Sequence, residues 1–99
     1  MEKQVIITPR FSRQAERLYN YLLDEWSGKV AFEFREKLWS KLNDISRYPE
    51  MGIQSKRNNA IRSVILYPHN KIYYKVTENN IYFLLLFDMR KHPSRNPYQ

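Results

Sequence analysis

The sequence predicts an α+β domain with the element order β-α-α-β-β-β, in which a mainly antiparallel sheet carries an N-terminal helical hairpin on one face. Two observations predict this fold. Apolar residues recur at helical intervals of three and four as far as about residue 48, and at strand intervals of two after about residue 60. Because 99 residues can enclose only one hydrophobic core, we expect residues 1–99 to form a single domain.

The first half of the chain is predicted to hold one strand and two helices. Val5–Ile7 is a short β-branched run typical of a strand, and Thr8-Pro9 opens a helix after it. One stripe of apolar residues marks each helix: Phe11, Ala15, Leu18, Leu22 and Trp26 in the first, and Ala31, Phe34, Leu38, Leu42 and Ile45 in the second. Since only Ser27-Gly28 separates the stripes, we expect an antiparallel hairpin over about residues 9–48.

The second half is predicted to supply three strands. Residues 53–60 are polar and are expected to be irregular, and Ile61–Leu66 then forms a strand. In the following strand, over residues 71–77, alternate side chains point to opposite faces. Ile81–Phe87 is apolar at every position, as in a central strand that is covered on both faces.

Positive charge is concentrated in this second half. Residues 1–50 carry 9 Lys and Arg against 8 Asp and Glu, a net of +1, whereas residues 51–99 carry 8 against 2, a net of +6. Lys71, Tyr73 and Lys75 alternate onto one face of the predicted sheet, and Arg62 is a further candidate for that face. Cations and aromatic rings together are the composition that contacts phosphates and stacks on bases, so an acidic partner is expected.

Several classes of protein are excluded. The absence of cysteine removes disulfide scaffolds, zinc ribbons and thiol nucleophiles, and two isolated glycines cannot build a phosphate-binding loop. The N-terminus is too polar for a signal peptide, and the longest apolar run, seven residues, is far short of a membrane span. Two histidines do not supply a metal-ligand set. We therefore expect a cytoplasmic protein with no cofactor, no metal and no membrane contact.

Several local strings resemble the RelE/ParE toxin superfamily of type II toxin–antitoxin systems. The strings that carry the resemblance are residues 21–26, 48–52, 61–62, 69–76 and 86–93. The most telling are Tyr48-Pro49-Glu50-Met51-Gly52, which stops the second helix, and the end of the last strand, where two residues separate Arg90 from Pro93. The resemblance covers nearly the whole chain.

The resemblance implies a bacterial growth inhibitor that a cognate antitoxin protein neutralises within a toxin–antitoxin complex. It leaves two targets open. RelE-like members cleave mRNA in the ribosomal A site, without a metal, whereas ParE-like members inhibit DNA gyrase and cleave no nucleic acid themselves. The long helical hairpin slightly favours the ParE-like branch. Whether the chain is an enzyme therefore depends on the branch.

Cleavage of RNA by its own 2′-hydroxyl needs a general base, cations for the phosphorane charge and an acid for the leaving oxygen. The candidate catalytic residues are Arg62, Lys71, Arg90, His92 and Tyr98. Arginine, lysine and tyrosine at roughly these positions carry the activity of RelE-like enzymes, but Val64 and Tyr73 stand where some of those enzymes hold further bases. An alternative for Arg62 is an ion pair with Asp88 or Glu78.

Further residues are candidates for binding nucleic acid or another target. They are His69, Tyr73, Lys75, Lys91 and Arg95. Tyr73 has the alternative of simply packing within the sheet, and His69 that of a hydrogen-bonding turn residue. Two other functions stay open beside the toxin: a non-catalytic nucleic-acid-binding module that uses the basic face, and an inactive toxin-like interaction protein.

Overall fold

The computed structural model describes residues 3–91 and 95–98. Strand β1 (Gln4–Ile7) leads into helices α1 (Pro9–Glu25) and α2 (Gly28–Arg47), and a short 3-10 turn (Pro49–Met51) follows. The remaining elements are strands β2 (Ile53–Gln54), β3 (Ile61–Leu66), β4 (Asn70–Val76) and β5 (Asn80–Asp88). The predicted α+β fold is confirmed, with one addition. We expected residues 53–60 to be irregular, but Ile53–Gln54 pairs antiparallel with β3.

The five strands form one sheet in the order β1-β5-β4-β3-β2. Strands β1 and β5 pair in parallel, and the remaining pairs of these five strands are antiparallel. The helical hairpin connects β1, at one edge of the sheet, to β2 at the opposite edge. Strand β5 therefore lies between two neighbours, which agrees with its continuous apolar sequence. The β4–β5 register shifts between Tyr73 and Tyr74, where a β-bulge interrupts the pairing.

The helical hairpin covers one face of the sheet, called here the covered face. Its core joins the two helices to the sheet and consists of Phe11, Leu38, Leu42, Ile45, Leu66, Ile72, Tyr74, Ile81, Phe83 and Leu86. The other face, called here the open face, has a smaller buried cluster of Ile61, Tyr73, Leu85 and Phe87. The predicted alternation in β4 is thereby confirmed, because Ile72 and Tyr74 lie on the covered face and Tyr73 on the open one.

Polar side chains fix where α1 begins and how it meets the sheet. The Thr8 hydroxyl accepts a hydrogen bond from the Phe11 amide at 3.3 Å and donates one to the Phe83 carbonyl at 2.7 Å. The Gln14 side chain accepts from the Leu86 amide at 2.9 Å. One part of the predicted stripe is wrong: Trp26 is 69% exposed, because it lies past the end of α1 as its C-cap residue.

Candidate functional site

Two side chains of the sheet hold the turn that follows α2. The Tyr74 hydroxyl donates to the Pro49 carbonyl at 2.7 Å and accepts from the Gly52 amide at 2.9 Å. A Cβ on Gly52 would lie 2.5 Å from that hydroxyl oxygen, so the turn can approach the sheet this closely only with glycine. Burial raises the pKa of Tyr74, which keeps its proton on the hydroxyl and available to Pro49.

Arg62 completes this support and does not lie where we expected it. Its guanidinium donates to the carbonyls of Gly52 at 2.8 Å and Glu50 at 3.1 Å. Its register partner on β4 is Tyr74, a residue of the covered face, so the expected position on the open face is wrong. The alternation of β3 explains this, since Ile61, which precedes Arg62, belongs to the open-face cluster. These carbonyl bonds replace the alternative pairing with Asp88 or Glu78.

The open face brings Lys71, Tyr73 and Tyr98 together. The Lys71 ammonium lies 5.5 Å from the centre of the Tyr73 ring, within the range of a cation–π contact. The rings of Tyr73 and Tyr98 are 5.3 Å apart and tilted by 37°. Asn96 donates to the Tyr73 hydroxyl at 2.7 Å, which ties residues 95–98 to the sheet. Tyr73 is only 5% exposed as a result, so its ring is a packing surface beneath Tyr98.

A groove of about 300 Å³, called here the basic groove, runs beside this aromatic pair. Its lining residues are Ile53, Gln54, Ser55, Lys56, Arg57, Arg62, Ser63, Lys71, Tyr73 and Tyr98. Within residues 3–91 and 95–98, no carboxylate lines it. Lys56 and Arg57 were missed in the sequence because they lie in the segment we expected to be irregular. The signal that could have found them is a Lys-Arg pair flanked by polar residues.

The end of β5 carries an oriented arginine. Two nitrogens of the Arg90 guanidinium bond to the two carboxylate oxygens of Asp88, at 3.0 and 2.9 Å. The hydrogen bond from Arg90 lowers the pKa of Asp88, and the pKa of Arg90 is raised in turn. The Arg90 side chain is nevertheless 61% exposed, so the pair presents a guanidinium of fixed direction at the surface.

The other predicted site residues are dispersed. Lys75 is exposed on the open face opposite Tyr82, and His69 is exposed in the turn before β4. Lys91 lies near Asn70 and Asp88 beside α1, and Arg95 is exposed. His92 lies outside the described residues. The structure thus brings Lys71, Tyr73 and Tyr98 together, and Arg62 lines the same groove although its guanidinium donates to the carbonyls of Glu50 and Gly52. Among the described residues, no group of His, Asp or Glu side chains could hold a metal ion.

A second, apolar groove of about 250 Å³, called here the hairpin groove, lies along the two helices. Its lining residues are Ile7, Phe11, Ser12, Ala15, Glu16, Tyr19, Phe34, Arg35, Leu38, Trp39 and Leu42. Trp39 is 49% exposed, so a large aromatic side chain is accessible here. Strand β1, at the edge of the sheet, also contributes through Ile7. No helix of the described chain has the length and hydropathy to cross a membrane.

Comparison with known proteins identifies the class. The model of the ParE toxin family of type II toxin–antitoxin systems, parDE, matches residues 5–93. The chain therefore belongs to the ParE toxin family, and it is the toxin component of a type II toxin–antitoxin system, with a cognate antitoxin as its partner. This confirms the resemblance found in the sequence.

A solved structure agrees with this assignment at the level of the fold. It is described as a chromosomal ParDE toxin–antitoxin system from P. aeruginosa, and its chain is 10% identical to this one. The alignment has a TM-score of 0.75 and covers 88% of this chain and 96% of that chain. A search of the curated proteins found no match.

Proposed function

We propose that this toxin inhibits DNA gyrase and does not itself cleave nucleic acid. The observation that carries the proposal is the position of Arg62. A ribonuclease of the RelE-like type would need Arg62, Lys71 and Tyr98 around one scissile phosphate. Here all three residues line the basic groove, but the guanidinium of Arg62 is directed to two backbone carbonyls on the covered face, whereas Lys71 and Tyr98 lie on the open face.

Among the described residues of the open face, Tyr73 is not accessible for proton transfer. The ring that lies centrally there, Tyr73, has its hydroxyl bonded to Asn96 and is buried beneath Tyr98. General acid–base catalysis requires a group within hydrogen-bond reach of the reacting oxygen. Gyrase inhibition requires no such set, and it is the activity that the resemblance implies for ParE-like toxins. Since gyrase acts on the chromosome, the proposal places the toxin's action in the cytoplasm.

Arg90 is the residue that we propose for the contact with the target. Asp88 holds its guanidinium in one direction, and the side chain is exposed, so it can form a bidentate contact with a carboxylate or phosphate of the partner. Removing it should weaken inhibition without unfolding the protein, because it lies at a strand end outside both buried clusters.

Two assays on the purified toxin test the proposal. We expect gyrase supercoiling of a relaxed plasmid to be inhibited, and mRNA on programmed ribosomes to stay intact. Arg90→Ala should raise the half-inhibitory concentration by at least about tenfold, in line with the loss of one charged hydrogen-bonded contact. Arg13→Ala, an exposed change of equal charge on α1, is the control and should leave inhibition unchanged. Cleaved mRNA with normal supercoiling would overturn the proposal.

We propose further that the antitoxin occupies the hairpin groove. The groove is mainly apolar, carries one arginine (Arg35) and one glutamate (Glu16), and ends at an edge strand, features that suit an amphipathic segment which folds as it binds. Trp39→Glu should weaken binding of the antitoxin encoded beside the toxin, measured by titration, while gyrase inhibition persists. Unchanged antitoxin affinity would contradict this placement.

A further inference from the structure

We infer that the basic groove is a binding site for single-stranded polynucleotide, used for binding and not for cleavage. The inference is independent of the gyrase proposal, because it concerns a different surface and a different ligand. It starts from the lining, in which Lys56, Arg57 and Lys71 supply cations and Tyr98 supplies an aromatic ring.

The charge of the groove selects a phosphate-bearing ligand. Lys56 and Arg57 lie on the exposed loop between β2 and β3, and Lys71 lies on β4. Arg62 of β3 also lines the groove, so cations reach it from one loop and two strands. No carboxylate of the described residues lines it to offset them. A groove that follows a backbone of phosphates with positive charge is the electrostatic part of a single-strand site.

The aromatic pair supplies the second part of such a site. Tyr73 is buried and held by Asn96, and Tyr98 packs over it at 5.3 Å, so Tyr98 is the partly exposed ring of the stack. A base that is free of a duplex can continue this stack on Tyr98. Paired bases are already stacked within their duplex, which is why the geometry favours a single strand.

An acidic peptide fits the basic groove less well. Seven of its ten lining residues are Gln, Ser or cationic, with Ile53 and two tyrosines as the apolar members, whereas eight of the eleven residues that line the hairpin groove are apolar or aromatic, the surface that an amphipathic helix would bury. The two grooves therefore differ in the partner that their chemistry selects. Polyglutamate serves as the experimental probe for the peptide alternative.

Fluorescence anisotropy with labelled oligonucleotides tests the inference on the full-length protein. The probes are DNA and RNA single strands of about 12 nucleotides, within the range of known single-strand sites, together with a duplex of the same sequence and polyglutamate. We expect the single strands to bind more tightly than either other probe. The DNA and RNA arms show which sugar the groove prefers.

Matched variants locate the site. Lys56→Ala with Arg57→Ala should lower single-strand affinity about tenfold or more at low salt, and should reduce the slope of log affinity against log salt by about 1.4. Arg13→Ala with Lys29→Ala removes the same charge from the exposed helical hairpin and should change affinity by less than about threefold, since long-range charge is screened. Tyr98→Ala should cost about tenfold through lost stacking.

Circular dichroism checks that each variant keeps its fold. Equal losses in the two double variants, unchanged affinity in Tyr98→Ala, or polyglutamate binding as tight as that of the single strands would each overturn the inference. Gyrase inhibition by the unmodified toxin bears on none of these outcomes, so failure here and failure of the gyrase proposal are distinguishable.

Discussion

Each face of the sheet combines a cationic residue with a tyrosine, but the two pairs have different roles. On the covered face, Arg62 and Tyr74 direct their polar atoms to the backbone of residues 49–52. On the open face, Lys71 and Tyr98 each pack against Tyr73 beside the basic groove. An arginine and a tyrosine thus serve the fold on one face, and a lysine and a tyrosine shape a surface on the other.

This difference shows that residue type alone does not mark a site. What separates the faces is where the polar atoms are directed. One nitrogen of the Arg62 guanidinium donates to two backbone carbonyls and holds the turn after α2, whereas the Lys71 ammonium lies over the Tyr73 ring in the lining of the basic groove. Substitutions on the covered face should therefore reduce stability, and those on the open face should affect binding.

The largest effect is expected for Gly52→Ala. The new methyl group would lie 2.5 Å from the Tyr74 hydroxyl oxygen and 2.9 Å from the Ser63 carbonyl oxygen, so the turn must move away from the sheet. Urea unfolding should show a loss of about 2–3 kcal/mol in the free energy of unfolding, as for other overpacked sites.

Gly28→Ala is the matched control, because nothing lies within 4 Å of its Cβ position. Gly28 is the first residue of α2, where alanine favours the helix, so stability should stay the same or rise by up to about 1 kcal/mol. Equal stability of the two variants would contradict the close approach of the turn.

The next effect distinguishes the two tyrosines directly. Tyr74→Phe removes the hydroxyl that serves both Gly52 and Pro49, and should cost about 1–2 kcal/mol because it leaves buried backbone groups without a partner. Tyr73→Phe removes one bond to Asn96, whose amide can turn to water, and should cost less than about 1 kcal/mol. A reversed order in chemical denaturation would refute the division between the faces.

An effect of the same size is expected from the two cations. Arg62→Ala should lower the free energy of unfolding by about 1–2 kcal/mol, since the carbonyls of Glu50 and Gly52 lose a charged donor. Lys71→Ala should lower it by less than about 1 kcal/mol, the size of a partly exposed cation–π contact. A greater loss of stability in Lys71→Ala than in Arg62→Ala, measured by denaturant titration, would contradict the proposed difference between the two faces.

The smallest effect concerns pH and the Asp88–Arg90 pair. The hydrogen bond from Arg90 lowers the pKa of Asp88 in the folded state, so the pair stabilises the fold above the ordinary aspartate pKa. This stabilisation is lost as the pH falls through the lowered value. Thermal unfolding should therefore show a difference between the unmodified protein and Asp88→Asn that shrinks from pH 7 to pH 3. A difference independent of pH would exclude the pair as its source.

Apolar patterns in the sequence predicted most of the fold, because both helices and four of the five strands carry them. Strand β2 was not predicted, because its two residues are flanked by polar residues and form a strand only through their hydrogen bonds to β3. Trp26 continued the helical spacing, yet the helix ends before it. The local pattern did not predict strand β2, which depends on pairing with β3, or the point at which α1 ends.

The candidate site was less predictable than the fold. Alternation in β4 correctly grouped Lys71 with Tyr73, but the position of Arg62 depends on the register of β3 against β4, which only the folded sheet defines. Lys56 and Arg57 reach the groove through a loop whose path has no periodic signal. The docking of Asn96 and Tyr98 on Tyr73 links residues more than twenty positions apart, and no local pattern indicates it.

Gyrase supercoiling in the presence of increasing toxin is the most direct test of the central claim, that this ParE-family chain acts on gyrase through an exposed arginine and not through RNA cleavage. We predict dose-dependent inhibition that Arg90→Ala reduces at least about tenfold and Arg13→Ala leaves intact. Supercoiling that stays normal at a toxin excess sufficient to arrest growth would contradict the account.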